Sequence, residues 1–162
     1  MSLKTYAFID GSNIIYSARA EGWHIDQKKL FDYLKRKFGI SKAFFYYGKD
    51  DENKKQEKFL KKLEDFGFSL RIKKVKRYGG RMKANCDVDL TMDILIFMDK
   101  YQQAIILSGD GDFLPLYQYI QKKKKRVVVI GSAKNTAREV RQFAGEQFMG
   151  LANLRGLLER KP

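Results

Sequence analysis

Short apolar runs alternate along the chain with longer amphipathic stretches. "TYAFID", "AFFYY", "SLRIKKV", "AIILS" and "VVVI" read as strands over Thr5–Asp10, Ala43–Tyr47, Ser69–Val75, Ala104–Ser108 and Val127–Ile130. Between them, apolar positions recur at helical spacing. In "DQKKLFDYLKRKFG", Leu30, Tyr33, Leu34 and Phe38 share a face, behind a capping Asp26 and ahead of a stopping Gly39. "DENKKQEKFLKKLEDFG" aligns Phe59, Leu60, Leu63 and Phe66, with lysines opposite and Gly67 as the stop. Further helices are predicted from Asp87 to Lys100, Phe113 to Lys124 and Asn135 to Phe143.

Strand–helix alternation argues for a mostly parallel sheet with helices on both faces, in one domain spanning residues 1–162. "AIIL" and "VVVI" are continuously apolar, as strands buried on both sides are. "FSLRIKKV" alternates, which predicts an edge strand. Open sheets of this kind bind ligands beyond the carboxyl ends of their strands, where the strand order reverses. Asp10 ends the first strand, and Asp110 and Asp112 follow the fourth. If those strands are neighbours, the acids share one crevice.

Composition sets the bounds. The 162 residues are 44% hydrophobic and 14% aromatic, enough for a full core without disulfides. A single cysteine, Cys86, makes no internal disulfide and predicts a reducing cytosol; beside Asp87 it reads as a small buried hydrophobe. The opening "MSLKTYAFID" predicts no signal peptide, and no window predicts a membrane span. Thirty-three Lys and Arg against 19 Asp and Glu leave a formal net charge of +14, which favours polyanions as partners.

In so basic a chain, grouped acids stand out. Mg²⁺ and Mn²⁺ take oxygen ligands, and converging carboxylates repel one another unless a cation is present. Asp10, Asp110 and Asp112 are the first candidates. Asp87, at the mouth of the third helix, adds another, while Asp89 and Asp93 share a face of that helix. Ser12 and Asn13, in the loop after Asp10, offer neutral hydrogen bonds. Each acid also has a plain role open to it: Asp112 as a cap of the fourth helix, Asp87 as an N-cap, Asp89 as a solvated helix residue. Other sites fail on spacing. A calcium loop starting at Asp110 would meet Leu114, Pro115 and Gln121 at its fifth, sixth and twelfth places. A phosphoaspartyl transferase would want Asp where Ser12 stands. There is no nucleotide P-loop or GxGxxG fingerprint, so no organic cofactor is expected, and the one histidine, His24, reads as a loop residue beside Trp23.

"FIDGSN", "CDVDLTMD" and "ILSGDGDFLPL" followed by "RVVVIG" together resemble the NYN domain, in its LabA-like branch, within the PIN-like nuclease superfamily. The resemblance runs from the first strand to about Leu154. It implies a three-layer α/β/α sandwich with sheet order 3-2-1-4-5 and a Mg²⁺- or Mn²⁺-dependent ribonuclease. Carried onto this sequence, the catalytic and metal-binding acids are Asp10, Asp87, Asp110 and Asp112, supported by Ser12, Asn13 and Asp93. Asp89 is an acid added to that pattern. Water would attack phosphorus directly, leaving 5′-phosphate and 3′-hydroxyl ends. The reading from another class is an RNA-binding or protein-interaction module that does not cut.

The basic segment "RIKKVKRYGGRMK" has seven cations and no acid just before the third helix. A flap with a Gly79–Gly80 turn would track RNA through Arg71, Lys73, Lys74, Lys76, Arg77, Arg81 and Lys83, with Tyr78 stacking on a base. Charge guarding an edge strand is the plain alternative. "KKKKR", Lys122 to Arg126, suits a helix C-terminus on the far side from the acids. Of Tyr46 and Tyr47, one packs in the core and one faces the cleft. The tail "GLANLRGLLERKP" is apolar enough to dock on its own chain or to join a second copy in a homodimer.

Overall fold

The computed structural model describes residues 3–50, 53–78, 81–83 and 85–162, with the backbone alone at 76–78 and 81–83. Along the chain run β1 (Thr5–Asp10), α1 (Gly11–Ala20), α2 (Gln27–Phe38), β2 (Lys42–Lys49), α3 (Lys54–Phe66), β3 (Ser69–Lys74), β4 (Lys76–Tyr78), β5 (Arg81–Lys83) and α4 (Asp87–Ile96). Then come β6 (Gln103–Leu107), α5 (Leu114–Lys122), β7 (Arg126–Gly131), α6 (Arg138–Ala144), β8 (Phe148–Gly150) and α7 (Arg155–Leu158). Six strands pair in the order β3-β2-β1-β6-β7-β8, every neighbour parallel. Counted within the sheet, that is the expected 3-2-1-4-5 with a sixth strand added. β3 lies at an edge, as its alternation predicts.

Period-two side-chain alternation divides the core into two layers. Ala7 and Ile9 of β1, Ile105 and Leu107 of β6 and Val128 and Ile130 of β7 face α1, α2 and α3. Phe8, Ala104, Ile106, Val127 and Val129 face α4, α5 and α6. Helices thus cover both faces, which makes the three-layer α/β/α sandwich and explains why the central strands are apolar throughout.

Local signals fix the helix ends. Asp26 caps α2, accepting from the backbone of Lys28 and Lys29 at 3.0 and 3.1 Å. Gly67 ends α3 at φ +116°, where an L side chain would be strained and would press on Phe31. The third predicted helix splits into α4 and a 3₁₀ turn at Met98–Lys100; the fourth gains a 3₁₀ turn at Gly111–Phe113; the fifth starts only at Arg138. β3 stops at Lys74, and β4 and β5 form an antiparallel hairpin beyond it. The Gly79–Gly80 turn lies outside the described residues.

One expectation needs correction. Ser12 and Asn13 are not in a loop: β1 runs directly into α1, and both sit in its first turn. "GSN" is poor helix sequence, but Asp10 caps it, accepting from Asn13 N at 3.4 Å. Gly11 permits the abrupt turn, since a Cβ there would sit 2.3 Å from the Phe45 ring and 2.7 Å from the Tyr46 carbonyl oxygen.

The tail docks on its own chain. Leu151, Leu154 and Leu158 are buried in the α1–α3 layer. The Leu158 carbonyl accepts from Asp26 N, and Arg160 N donates to the His24 carbonyl, both at 2.8 Å. Among the described residues no helix is long and apolar enough to cross a membrane. Truncating the fully buried Leu158 to Ala should cost about 2–5 kcal/mol in a urea titration. A loss of only about 0.5 kcal/mol, typical of surface substitutions, would mean that the tail adds little to the fold.

Candidate metal centre

β1 and β6 are hydrogen-bonded parallel neighbours, and the strand order reverses between them. Asp10 therefore ends its strand beside the turn that leaves β6. That turn is tightly wired. Ser108 Oγ donates to Asp10 Oδ2 at 3.3 Å and accepts from Asp110 N at 3.3 Å. Asp110 Oδ1 accepts from Asp112 N at 2.9 Å, and Asn13 Oδ1 accepts from Gly109 N at 3.2 Å. Asn13 and Ser108 thus lock α1 to the β6 turn.

Asp87 arrives from a distant segment as the first residue of α4, its amide donating to Asn85 Oδ1 at 2.8 Å. Neither it nor Asp112 is a cap. Cys86 occupies the N-cap position of α4 without a side-chain bond, and Asp110 caps the 3₁₀ turn that contains Asp112. Carboxylate oxygens of Asp87, Asp110 and Asp112 lie within 4.8 Å of one another. Asp10 is not part of that trio, but its charge reaches both Asp87 and Asp110.

The electrostatics match the geometry. Burial first, then the charges of Asp110 and Asp10, push the Asp87 carboxyl up to about 6. Burial also raises Asp10, against bonds from Asn13 and Ser108 that lower it. The same cluster helps to keep neighbouring acids protonated. Cys86, raised mainly by burial and then by Asp10, is pushed up to about 11 and packs as a buried hydrophobe, as expected. The Tyr117 phenol, raised by burial and then by Asp110, Asp10 and Asp87, has no hydrogen-bond partner among the described residues. Three converging carboxylates are a donor set that fits a hard divalent cation.

Asp93 bonds to residues of β2 and β3. Its Oδ2 accepts from the Tyr46 hydroxyl at 2.7 Å and from Arg71 Nε at 2.9 Å. Arg71 also lies 4.9 Å from the Phe44 ring centroid. Lys73 Nζ donates to the Asn85 carbonyl at 3.0 Å and pairs with Asp89 at 3.5 Å. Two of the expected phosphate contacts therefore clamp β3 to α4. Lys74 has interactions of its own. The side chains of Lys76, Arg77, Tyr78, Arg81 and Lys83 lie outside the described residues. Ser12 is exposed in the first turn of α1. Tyr46 is the core tyrosine, while Tyr47 packs on the α3 side against Phe59. Sequence reasoning passed over Ser108 and Asn85; each stands two residues before an acid of the cluster, Asp110 and Asp87, which was the signal available.

The raised Asp87 gives a stability test in EDTA. The native carboxyl holds its proton up to about 6, whereas the unfolded one releases it near 3.8. The native state binds more protons in that window, so stability falls as pH rises through it. Asp87→Asn should remove that part of the slope. A stability difference between the two proteins that stays flat from about pH 4 to 6 would contradict the clustering of charge.

A solved structure of a protein of unknown function from Vibrio parahaemolyticus RIMD 2210633 superposes with a TM-score of 0.80, covering 93% of each chain at 24% identity, a likeness of fold. The chain is 28% identical over 162 aligned positions to the Low amplitude and bright protein LabA of Synechococcus elongatus, covering 94% of this chain and 86% of that protein. The model of the NYN domain matches residues 4–151. The chain belongs to the NYN domain family.

Proposed function

We propose that the chain is an endoribonuclease dependent on Mg²⁺ or Mn²⁺. The observation that carries this reading is the meeting of Asp87, Asp110 and Asp112 within 4.8 Å in a chain of formal net charge +14. Membership of the NYN family supports RNA as the substrate. Asp87, Asp110 and Asp112 would hold the cation, with Asp10 as the fourth acid beside them. The chemistry that a bound divalent cation supplies there is acidified water and neutralised phosphate charge.

The chain's own residues act by position. Ser108 and Asn13 fix the β6 turn against α1, and so fix Asp10 relative to Asp110. Asp93 supports the site indirectly, by holding α4 to β3 through Arg71. Ser12, exposed at the start of α1, offers a hydroxyl to phosphate or water. With no side chain as a covalent nucleophile, water would attack phosphorus directly and the 3′ oxygen would leave, giving 5′-phosphate and 3′-hydroxyl ends. The basic hairpin and β3 would gather the RNA backbone. The reading treats residues 1–162 as one domain acting in the cytosol without an organic cofactor.

Purified protein should cut RNA with Mg²⁺ or Mn²⁺ and stop in EDTA, and Asp110→Asn should abolish the cut. Activity surviving either change would overturn the reading, and RNA bound but never cut would leave a binding module. Product ends bearing a 2′,3′-cyclic phosphate would point to the RNA's own hydroxyl as nucleophile. In a salt titration of binding, changing Lys76, Arg77 and Arg81 together to Ala should flatten the log–log slope by about two, at 0.7 per phosphate on a single strand. Weaker affinity with an unchanged slope would argue against direct phosphate contact.

A further inference from the structure

Beside the acids, on the α4–α5 side of the sheet, a groove of about 530 Å³ opens at Asp112. Leu95 and Met98 form one wall, and Pro115 and Tyr119 the other. Tyr119 and Leu95 are 44% and 43% exposed, large groups that a folded chain more often covers. Pro115 and Tyr119 lie one turn apart on one face of α5, which Asp112 in the preceding 3₁₀ turn and Lys123 at the C-cap extend. Lys123 Nζ lies 5.4 Å from the Tyr119 ring centroid. Along roughly 16 Å, that face presents a carboxylate of the acidic trio, an apolar slot, an aromatic ring and an ammonium.

We infer that this groove seats an unpaired nucleobase of the RNA strand whose phosphate lies at the acids, with Lys123 meeting a phosphate farther along. The inference rests on the ribonuclease reading and narrows its substrate to single-stranded segments. Continuity argues for this occupant, because Asp112 belongs both to the acidic trio and to the groove. Charge argues for it too: the slot is apolar, as the face of a base requires, and Lys123, over the Tyr119 ring that borders the slot, offers a cation to a backbone phosphate. An exposed tyrosine accepts any base by stacking. Bases inside a duplex cannot enter, so paired regions are excluded. A second copy of the chain is the competing occupant, since Val88, Met92 and Ile96 of α4 are also exposed. Its own charge of +14 opposes that association.

Binding of a short unstructured RNA, measured by fluorescence anisotropy in EDTA, tests the groove apart from catalysis. Tyr119→Ala should weaken binding roughly 5- to 150-fold, the range for losing one stacked base. Tyr119→Trp, which keeps a ring, should retain affinity, and a duplex of the same sequence should not distinguish Tyr119→Ala from the unaltered protein. Lys123→Ala should lower the log–log salt slope by about 0.7. Equal single-strand affinity of Tyr119→Ala and the unaltered protein overturns the inference. So does an unchanged slope in Lys123→Ala, or a dimer in sedimentation that Tyr119→Ala dissociates. Cleavage with Mn²⁺ is scored separately. Protein that shows the Tyr119 effect without cutting keeps the groove and loses the ribonuclease reading; protein that cuts, yet binds the same after Tyr119→Ala, does the opposite.

Discussion

Like charges a few ångströms apart separate unless something holds them. The sheet holds them here. Parallel pairing of β1 with β6 brings the end of one strand beside the turn after the other, and Ser108 bonds to both sides of that join. Asp110 spends one carboxylate oxygen on the backbone of Asp112, which tightens the turn that carries both. α4 must then deliver Asp87 to the same point from outside the sheet. It is held by burial of Leu90 and Ile94 and by the Arg71–Asp93 pair. Because Asp93 is only 14% exposed, removing Arg71 would leave a largely buried carboxylate with the Tyr46 hydroxyl in place of its cation.

Most of this was legible in the sequence because the central strands are buried on both faces and advertise it. "AIIL" and "VVVI" are short, continuously apolar and rich in β-branched residues, as interior strands are, and Asp10 and Asp110 follow such runs. α1 was not legible. Its first turn is Gly-Ser-Asn, and what makes it helical is a cap and a tight approach to Phe45, neither of which propensity records. β8 is three residues long and too short for periodicity to register. Asp93 was read as a supporter of the site from its helical face. Its actual partners, Tyr46 and Arg71, come from strands 47 and 22 residues away, a contact no local pattern can reveal.

The basic surface also divides in a way that counting could not show. Arg71 and Lys73 are engaged with acids of α4, and Lys125 donates to the Tyr101 carbonyl beside the start of β6, away from the carboxylates. Arg71 and Lys73 of β3 thus tie that edge strand to α4. Net charge draws a polyanion to the whole molecule; only where cations stand near the acids does it steer one to the site.

The Ser108–Asp10 bond joins residues 98 apart in the chain. β1 finds β2 across α1 and α2, but it finds β6 only after β2, β3 and the helices between have been laid down. Long-range closure of that kind is entropically slow. During synthesis, the N-terminal half can therefore gather around β1 while its open edge waits for β6. The acids are still far apart at that stage, so their mutual repulsion does not resist the early steps. Asp110 and Asp112 join Asp10 and Asp87 only when β6 pairs with β1, so that part of the charge crowding enters with the closing of the sheet.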